Sequence, residues 1–319
     1  MTIIRIILFW LLIAWAPVSA ISAEVPATTP KAEATEQTAE SAKEEEKGLP
    51  PGAVEIGRVG SFPITNSMIV CWIAALLLIV FAQFATRRMK PVPEGAQNFW
   101  EWLVESLYTF LESIIGPHLM KKTFWFFATI FIFIVFSNWL GLVPGLGTIG
   151  WGSDTKYGFR VSHPWLRGAN ADLNMTFAMS MVFFACWIVW AFQSNGPIGF
   201  LKHLFAPKGE SSGALKILLI IIFFAVGFLE VFSILFRPVS LSFRLYGNIF
   251  AGENMLEAMA NLIKEPAWAK TLASMIVPVP FYFMELLVGV IQALVFMLLT
   301  AVFTMLICEH EEGHEAAHH

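Results

Sequence analysis

The sequence predicts a polytopic all-α membrane protein, and three observations carry the prediction. Of 319 residues, 57% are apolar and 14% charged, against roughly a quarter charged in an average soluble domain. The mean hydropathy is +0.67. Of the 24 acidic residues, eight lie in 24–58 and four in 309–319, which leaves twelve acidic and fifteen basic side chains for residues 61–308. A water-facing surface of that size needs far more charge. A soluble domain, a disordered chain and a nucleic-acid-binding protein are excluded on this ground. Thirty Phe and twelve Trp suit lipid-facing and interfacial positions.

Residues 1–23 read as a secretory signal, cleaved or, as the alternative, retained as an uncleaved helix. Arg5 supplies the positive end and Ile6–Ala16 the short apolar region. Val18-Ser19-Ala20 or Ile21-Ser22-Ala23 supplies a small-residue cleavage site. Residues 24–60 are rich in Ala, Thr, Glu, Lys and Pro, with an acidic run at Glu44, Glu45 and Glu46, and read as a disordered arm outside the cytoplasm. Crossing the hydrocarbon core takes about 20 apolar residues, and 64–86 qualify, with no charge between Arg58 and Arg87. Arg87, Arg88 and Lys90 then mark the cytoplasmic side.

In 94–118, Phe99, Trp102, Leu103, Leu107, Phe110, Leu111 and Ile114 recur at three- and four-residue spacing, with Glu101, Glu105 and Glu112 opposite. That is an amphipathic helix, lying on the inner surface or against other spans. Lys121 and Lys122 keep its end inside, and 123–143 run outward as the second span. Residues 144–170 form a polar, Gly-rich outer loop. Gly141 and Gly145 have GxxxG spacing, but Pro144 between them favours a turn into that loop over a helix-dimer face. Residues 172–194 return inward, and Lys202, Lys208 and Lys216 follow on the cytoplasmic side.

The stretch 215–262 is open to two readings. As one helix it is about 72 Å long, more than twice the hydrocarbon thickness of about 30 Å. It is either two spans broken near Pro238 or one long tilted helix. A polar turn at 264–272, around Glu265 and Pro266, precedes 273–308, where Glu285 is the single charge. One option gives five spans with the tail inside, the other six with the tail outside.

Glu230, Arg237, Arg244, Glu253 and Glu285 fall inside these last two stretches. A charge at the bilayer centre costs at least about 2.5–3.5 kcal/mol, so each calls for a partner, a wet path or an interface. Arg237, before Pro238, reads as snorkelling to an interface, and Glu257 as interfacial. Arg244 is flanked by long uncharged segments. Ser240 and Asn248 share its helical face, whereas Glu253, nine residues on, falls nearly opposite and about 13.5 Å along the axis. Glu285 and Gln292, seven apart, share a face of the last helix. Guanidinium stays protonated at biological pH and cannot relay protons; it acts as an electrostatic gate. A carboxyl in low dielectric can exchange protons near neutral pH, and Glu253 and Glu285 fit that role. The bland alternative is a buried pair of Arg244 with Glu253 or Glu285 that only fixes packing.

The segment Arg237–Glu253, RPVSLSFRLYGNIFAGE, closely resembles the signature of subunit a of F-type ATP synthases, a Pro-X-Ser-Leu-X-X-Arg-Leu-X-Gly-Asn core followed by Ala-Gly-Glu. Residues 291–300, IQALVFMLLT, are similar to that family's Gln-Ala-Phe-X-Phe-X-X-Leu-Thr segment. Residues 171–176, ADLNMT, are similar to its Ala-Asp-X-Asn-X-Thr motif, and 138–145, NWLGLVPG, to its Asn-X-X-Gly-X-X-Pro turn. The resemblance covers about 60–308. It implies about five transmembrane helices, including a long tilted C-terminal helical hairpin, plus the amphipathic surface helix.

For single positions the resemblance implies that Arg244 is the essential gate facing a rotating ring of subunit c. Asn248, Glu253, Gln292, Asp172 and Asn174 would line an outer half-channel, and Glu230 and Ser233 the inner one. Glu285 stands where many members carry His, a departure that leaves open whether it or Glu253 is the main relay. The implied partners are the c-ring, the peripheral stalk of subunit b, the other synthase subunits and the bilayer. The implied location is the bacterial inner membrane, with the N-terminus outside and the C-terminus cytoplasmic. No cofactor, metal or nucleic acid is expected. The chain has no GxxxxGK[ST] loop, so ATP chemistry belongs elsewhere. His310 to His314 matches HExxH but lies in an acidic His-containing tail, 309–319. The Asn174–Thr176 sequon opens a span. All seven His lie in loops, at interfaces or in the tail, which argues against haem. A secondary transporter would show internal repeats, and none is visible.

Overall fold

The computed structural model describes residues 52–308 apart from 61, 156, 157, 206–213 and 264–266. The signal, most of the acidic arm and the tail lie outside the described residues. The elements are β1 (Glu55–Val59), β2 (Phe62–Thr65), α1 (Asn66–Thr86), α2 (Ala96–Gly141), β3 (Gly150–Thr155), β4 (Gly158–Pro164), α3 (Leu173–Phe205), α4 (Ala214–Ala260), α5 (Ala267–Ile276) and α6 (Pro278–Cys308). Five of the helices are long and apolar enough to cross a membrane, as an all-α membrane fold requires.

The ambiguous 215–262 stretch is one helix, α4, with Pro238 inside it. The lost N–H bond at a proline is tolerated where neighbouring helices support the segment, and Pro238 is buried against them. The amphipathic segment and the second span run together as α2, bent at Gly116, whose φ of 76° and ψ of 160° suit glycine, with Pro117 next. Leu107, Leu111 and Ile115 of the amphipathic part pack into the core, while Phe99 and Trp102 of the same apolar stripe stay exposed. That stripe is wider than the protein surface it covers. Gly196, φ 66°, bends α3 in the same way.

The core is built by α2, α3, α4 and α6. Phe126, Phe127, Ile134, Phe183, Trp187, Leu245, Phe296 and Met297 are all fully buried in it. Helix α1 is peripheral: it buries Val70, Cys71 and Ala74 and leaves Leu76, Val80 and Phe84 exposed. Helix α4 lies tight against α3 at Gly227, where an added Cβ would overlap the Leu204 carbonyl oxygen and lie 2.7 Å from the Phe205 ring. Gly227→Ala is therefore expected to destabilise the fold by about 1–3 kcal/mol, read as a lower thermal midpoint of the purified assembly.

The loops hold more structure than their composition predicts. Residues 55–59, assigned above to a disordered arm, pair antiparallel with β2, and Arg58 is ion-paired with Glu55. The hydrogen bond from Arg58 holds the Glu55 carboxyl below its ordinary range. The Gly-rich loop contains the hairpin β3–β4, with Trp151 against Trp165. The polar turn expected at 264–272 is in part helix α5. Its Ala269 and Ala273 are half-buried, and Trp268, Leu272, Met275 and Ile276 are exposed. Both hairpins, the last turn of α2 and the start of α3 meet at one end of the bundle, the hairpin end. Asn66 joins them: it accepts from Val54 N at 3.1 Å and donates to the Pro164 carbonyl at 3.0 Å.

Candidate functional site: a polar seam between the helices

Helix α4 has two unlike faces. Ile234, Leu241, Leu245, Ile249 and Leu256, at helical spacing, are buried against the core. Phe232, Phe236, Phe243 and Arg244 point outward and are exposed. Ser240 and Asn248 share the exposed face with Arg244, as their spacing predicts. Among the described residues Arg244 makes neither a hydrogen bond nor an ion pair. The buried-pair alternative for Arg244 is thereby corrected: Glu253 lies around the helix from it, and Glu285 sits beneath the opposite face.

On the buried side of α4, α6 runs antiparallel and supplies a polar stripe. Glu285 and Gln292 share that face, as predicted, and each is 4% exposed. Asn248, at the edge of the exposed face, reaches across to it: its Nδ2 donates to Gln292 Oε1 at 2.6 Å. Two turns towards the hairpin end, the Glu285 carboxylate occupies the space that a side chain at Gly252 would fill. Between them, Gly289 lets Asn138 come close enough to donate from Nδ2 to its carbonyl at 3.0 Å. Asn138 in turn accepts from Asn170 at 2.6 Å. Glu285 Oε1, Gln292 Nε2 and Ser137 Oγ are buried with no hydrogen-bond partner among the described residues. Each such orphan costs about 1–3 kcal/mol if left dry.

Glu253 lies on the same side, and its partner is a residue the sequence reading left in a loop. Arg167 Nε and Nη2 both donate to Glu253 Oε2 at 3.4 Å, and Arg167 Nη1 donates to the Gly52 carbonyl at 2.9 Å. Arg167 is 7% and Glu253 13% exposed. A small cavity opens beside the pair, lined by Ser137, Asn138, Gly141, Gly168, Ile249 and Glu253 among others. Gly141 ends α2 and lies against Gly168, a Cβ there meeting Gly168 Cα at 3.0 Å. That close backbone approach is the use of the glycine that the GxxxG spacing left open.

Asp172 is 3% exposed. It accepts from Ser67 Oγ at 2.8 Å and from the Asn174 backbone N–H at 3.0 Å, tying α1 to α3. The Asn174 side chain is exposed and is not brought to Glu253. Glu230 and Ser233 lie towards the other end of α4. Glu230 is half-buried and Ser233 exposed, and Glu230 is roughly 35 Å along the helix from Glu253. Arg237 does not snorkel. It is half-buried, its guanidinium 4.4 Å from the Phe303 ring centre and 5.5 Å from that of Trp187, within electrostatic reach of Glu230. Arg244 therefore stands between two separate polar clusters. Among the described residues no group of three or more His, Cys, Asp or Glu is placed to hold a metal.

Comparison with known proteins agrees with this architecture. The family model described as ATP synthase A chain matches residues 68–305. ATP synthase subunit a of Gloeobacter violaceus is 32% identical over 268 residues, which is 82% of this chain and 94% of the relative. The sodium-ion-specific ATP synthase subunit a of Propionigenium modestum is 30% identical over 79% of this chain and 78% of its own length. The Trichlorobacter lovleyi subunit a is 32% identical over 75% of this chain and 85% of its own length.

Proposed function

The chain belongs to the ATP synthase A chain family and is a membrane subunit of an F-type ATP synthase, and from that premise we propose that it is the stator that feeds protons to a rotating c-ring through two half-channels. One observation carries the reading: an exposed guanidinium, Arg244, unpaired among the described residues, on the outward apolar face of α4, between polar residues near the middle of the helix (Glu230, Ser233) and others near its C-terminal end (Asn248, Glu253). A permanent cation left bare on a membrane-facing surface calls for an anion brought by another chain. A carboxylate on a passing rotor subunit meets that need.

The proposed path begins at the hairpin end, which faces outside because Arg87, Arg88, Lys121 and Lys122 gather at the other end. Asp172 and Asn174 lie near its mouth. Glu253, Glu285, Gln292 and Asn248 follow, and the unpartnered polar atoms along α6 support a wet route. A proton delivered beside Asn248 neutralises a ring carboxylate, which can then face lipid. After nearly a full turn that site reaches the inner cluster at Glu230 and Ser233 and releases the proton. The bare carboxylate next pairs with Arg244 as it crosses between the channels. Each charge moved through 100 mV supplies about 2.3 kcal/mol, so several steps are geared to one ATP made on other subunits. Subunit b would hold this chain still against the rotation.

The outward face of α4 can be tested by disulfide cross-linking in membranes. Cysteines at Phe236, Ser240 or Phe243 are expected to cross-link to cysteines on the outer helix of subunit c. Cysteines at Leu241 or Leu245, which face the core, are expected not to. Equal cross-linking from both faces would overturn the reading.

A further inference from the structure

We propose that Arg167 is the fixed counter-ion of Glu253 and positions that carboxylate at the mouth of the outer pathway, so that the loop carrying it acts as a latch. The inference rests on the proton-conducting reading above and deepens it.

Three N–H groups of Arg167 reach Glu253 and Gly52. Two hold the single oxygen Glu253 Oε2, and the third holds the Gly52 carbonyl, in the segment leading into β1. Its guanidinium also lies 5.9 Å from the centre of the Phe250 ring, one turn before Glu253 on α4. The next residue, Gly168, has no side chain, so Glu253 Oε1 sits 2.8 Å from where its Cβ would stand. The carboxylate is thus held from one side by Arg167 and covered by the Gly168 backbone, and the adjoining cavity, lined by Ser137, Asn138 and Asn170, lies next to it.

The charges around this carboxylate are unequal. Glu253 faces Arg167 from the loop, Glu285 from α6 and Glu257 from its own helix, with Tyr246 close by and Asp172 within electrostatic reach of Tyr246. Among the described residues Arg167 is the single cation paired with it. A guanidinium keeps its charge throughout and passes no proton, so its part is to aim and hold. Both contacts to Glu253 are long, whereas the bond to Gly52 is of ordinary length. When Glu253 gains a proton its attraction to Arg167 weakens, and the neutral carboxyl can turn towards Glu285. The Gly52 carbonyl keeps Arg167 in place to receive the carboxylate again.

The test uses membranes holding the whole complex, scored for chain level, ATP-driven proton pumping and passive conduction after removal of the catalytic head. Arg167→Gln is expected to lower passive conduction about tenfold or more, with Arg167→Lys restoring it to within about threefold of the parent. The double variant Arg167→Gln/Glu253→Gln is expected to match Glu253→Gln alone, because the two residues act as one unit. Parent-like conduction in Arg167→Gln, failure of Lys to rescue, or losses that multiply in the double variant would overturn the inference. If Arg167→Gln fails to accumulate, the double variant decides. A recovered chain level supports the pair, since no unpartnered carboxylate is left, and an unrecovered level overturns it. A parent complex that conducts no protons would instead remove the conducting reading itself.

Discussion

Arg244→Gln is expected to abolish ATP-driven proton pumping and ATP synthesis while ATP hydrolysis by the catalytic head continues. Arg244 is exposed on α4. Among the described residues Arg244 has no partner, and removing its charge leaves no orphan among them, so the fold of this subunit should survive. The loss falls on the rotor. A bare ring carboxylate passing α4 without a cation meets a cost of about 2.5–3.5 kcal/mol, which is a slowing of roughly 70- to 400-fold. In the proposed mechanism, glutamine would also remove the positive field that keeps protons from passing between Glu253 and Glu230 without turning the ring. Arg244→Lys should do better than Gln, yet below the parent, because an ammonium is a compact charge that can lose its proton when desolvated. The readouts are acidification of vesicles by ATP, proton leak through head-stripped membranes, and hydrolysis by the released head. Pumping within about twofold of the parent, which corresponds to less than about 0.5 kcal/mol, would eliminate the gate.

Helix geometry alone separates Arg244 from Glu253 in the sequence, while the gate role proposed for Arg244 comes from the family resemblance. Nine residues turn the helix almost half-way round, so Arg244 and Glu253 are predicted on unlike faces, and α4 presents them so. Hydropathy finds the apolar stretches because composition over about 20 residues is a local property, but it leaves five or six spans open, and five is what the family resemblance implies. It leaves the 215–262 stretch undecided because Pro238 looks like a break when its supporting neighbours are unknown. Helix α5 escapes notice because its small residues turn inward and its large apolar ones outward, the reverse of the pattern that marks a helix packed on protein. Arg167 is missed for a different reason. It is 86 residues from Glu253 in sequence, in a Gly-rich loop, and no spacing links them. Its nearest signal is the Asp172 motif five residues on. Arg237 is misjudged as snorkelling because its aromatic partners, Trp187 and Phe303, come from α3 and α6.

The crossing of α4 and α6 yields the second large effect. Gly252→Ala is expected to disrupt the subunit, because its new methyl group would occupy the space of the Glu285 carboxylate. Overpacking in a tight core costs about 1–3 kcal/mol. Here the displaced group is itself a carboxylate, 4% exposed, with one oxygen already unpartnered among the described residues. Moving it breaks its alignment with Gln292 and Asn248 as well. Glu285→Ala alone removes the carboxylate and leaves a small void, so the chain should assemble while proton conduction falls. The double variant Gly252→Ala/Glu285→Ala separates these causes. Without the carboxylate the methyl group has room, and chain level in the membrane should return to that of Glu285→Ala, while conduction stays low. Recovery of both level and conduction would mean that Glu285 is packing and not a proton relay, and would leave Glu253 as the relay. Full activity in Gly252→Ala alone would show that α4 and α6 do not meet this closely in the working complex, and the seam built on that contact would have to be redrawn.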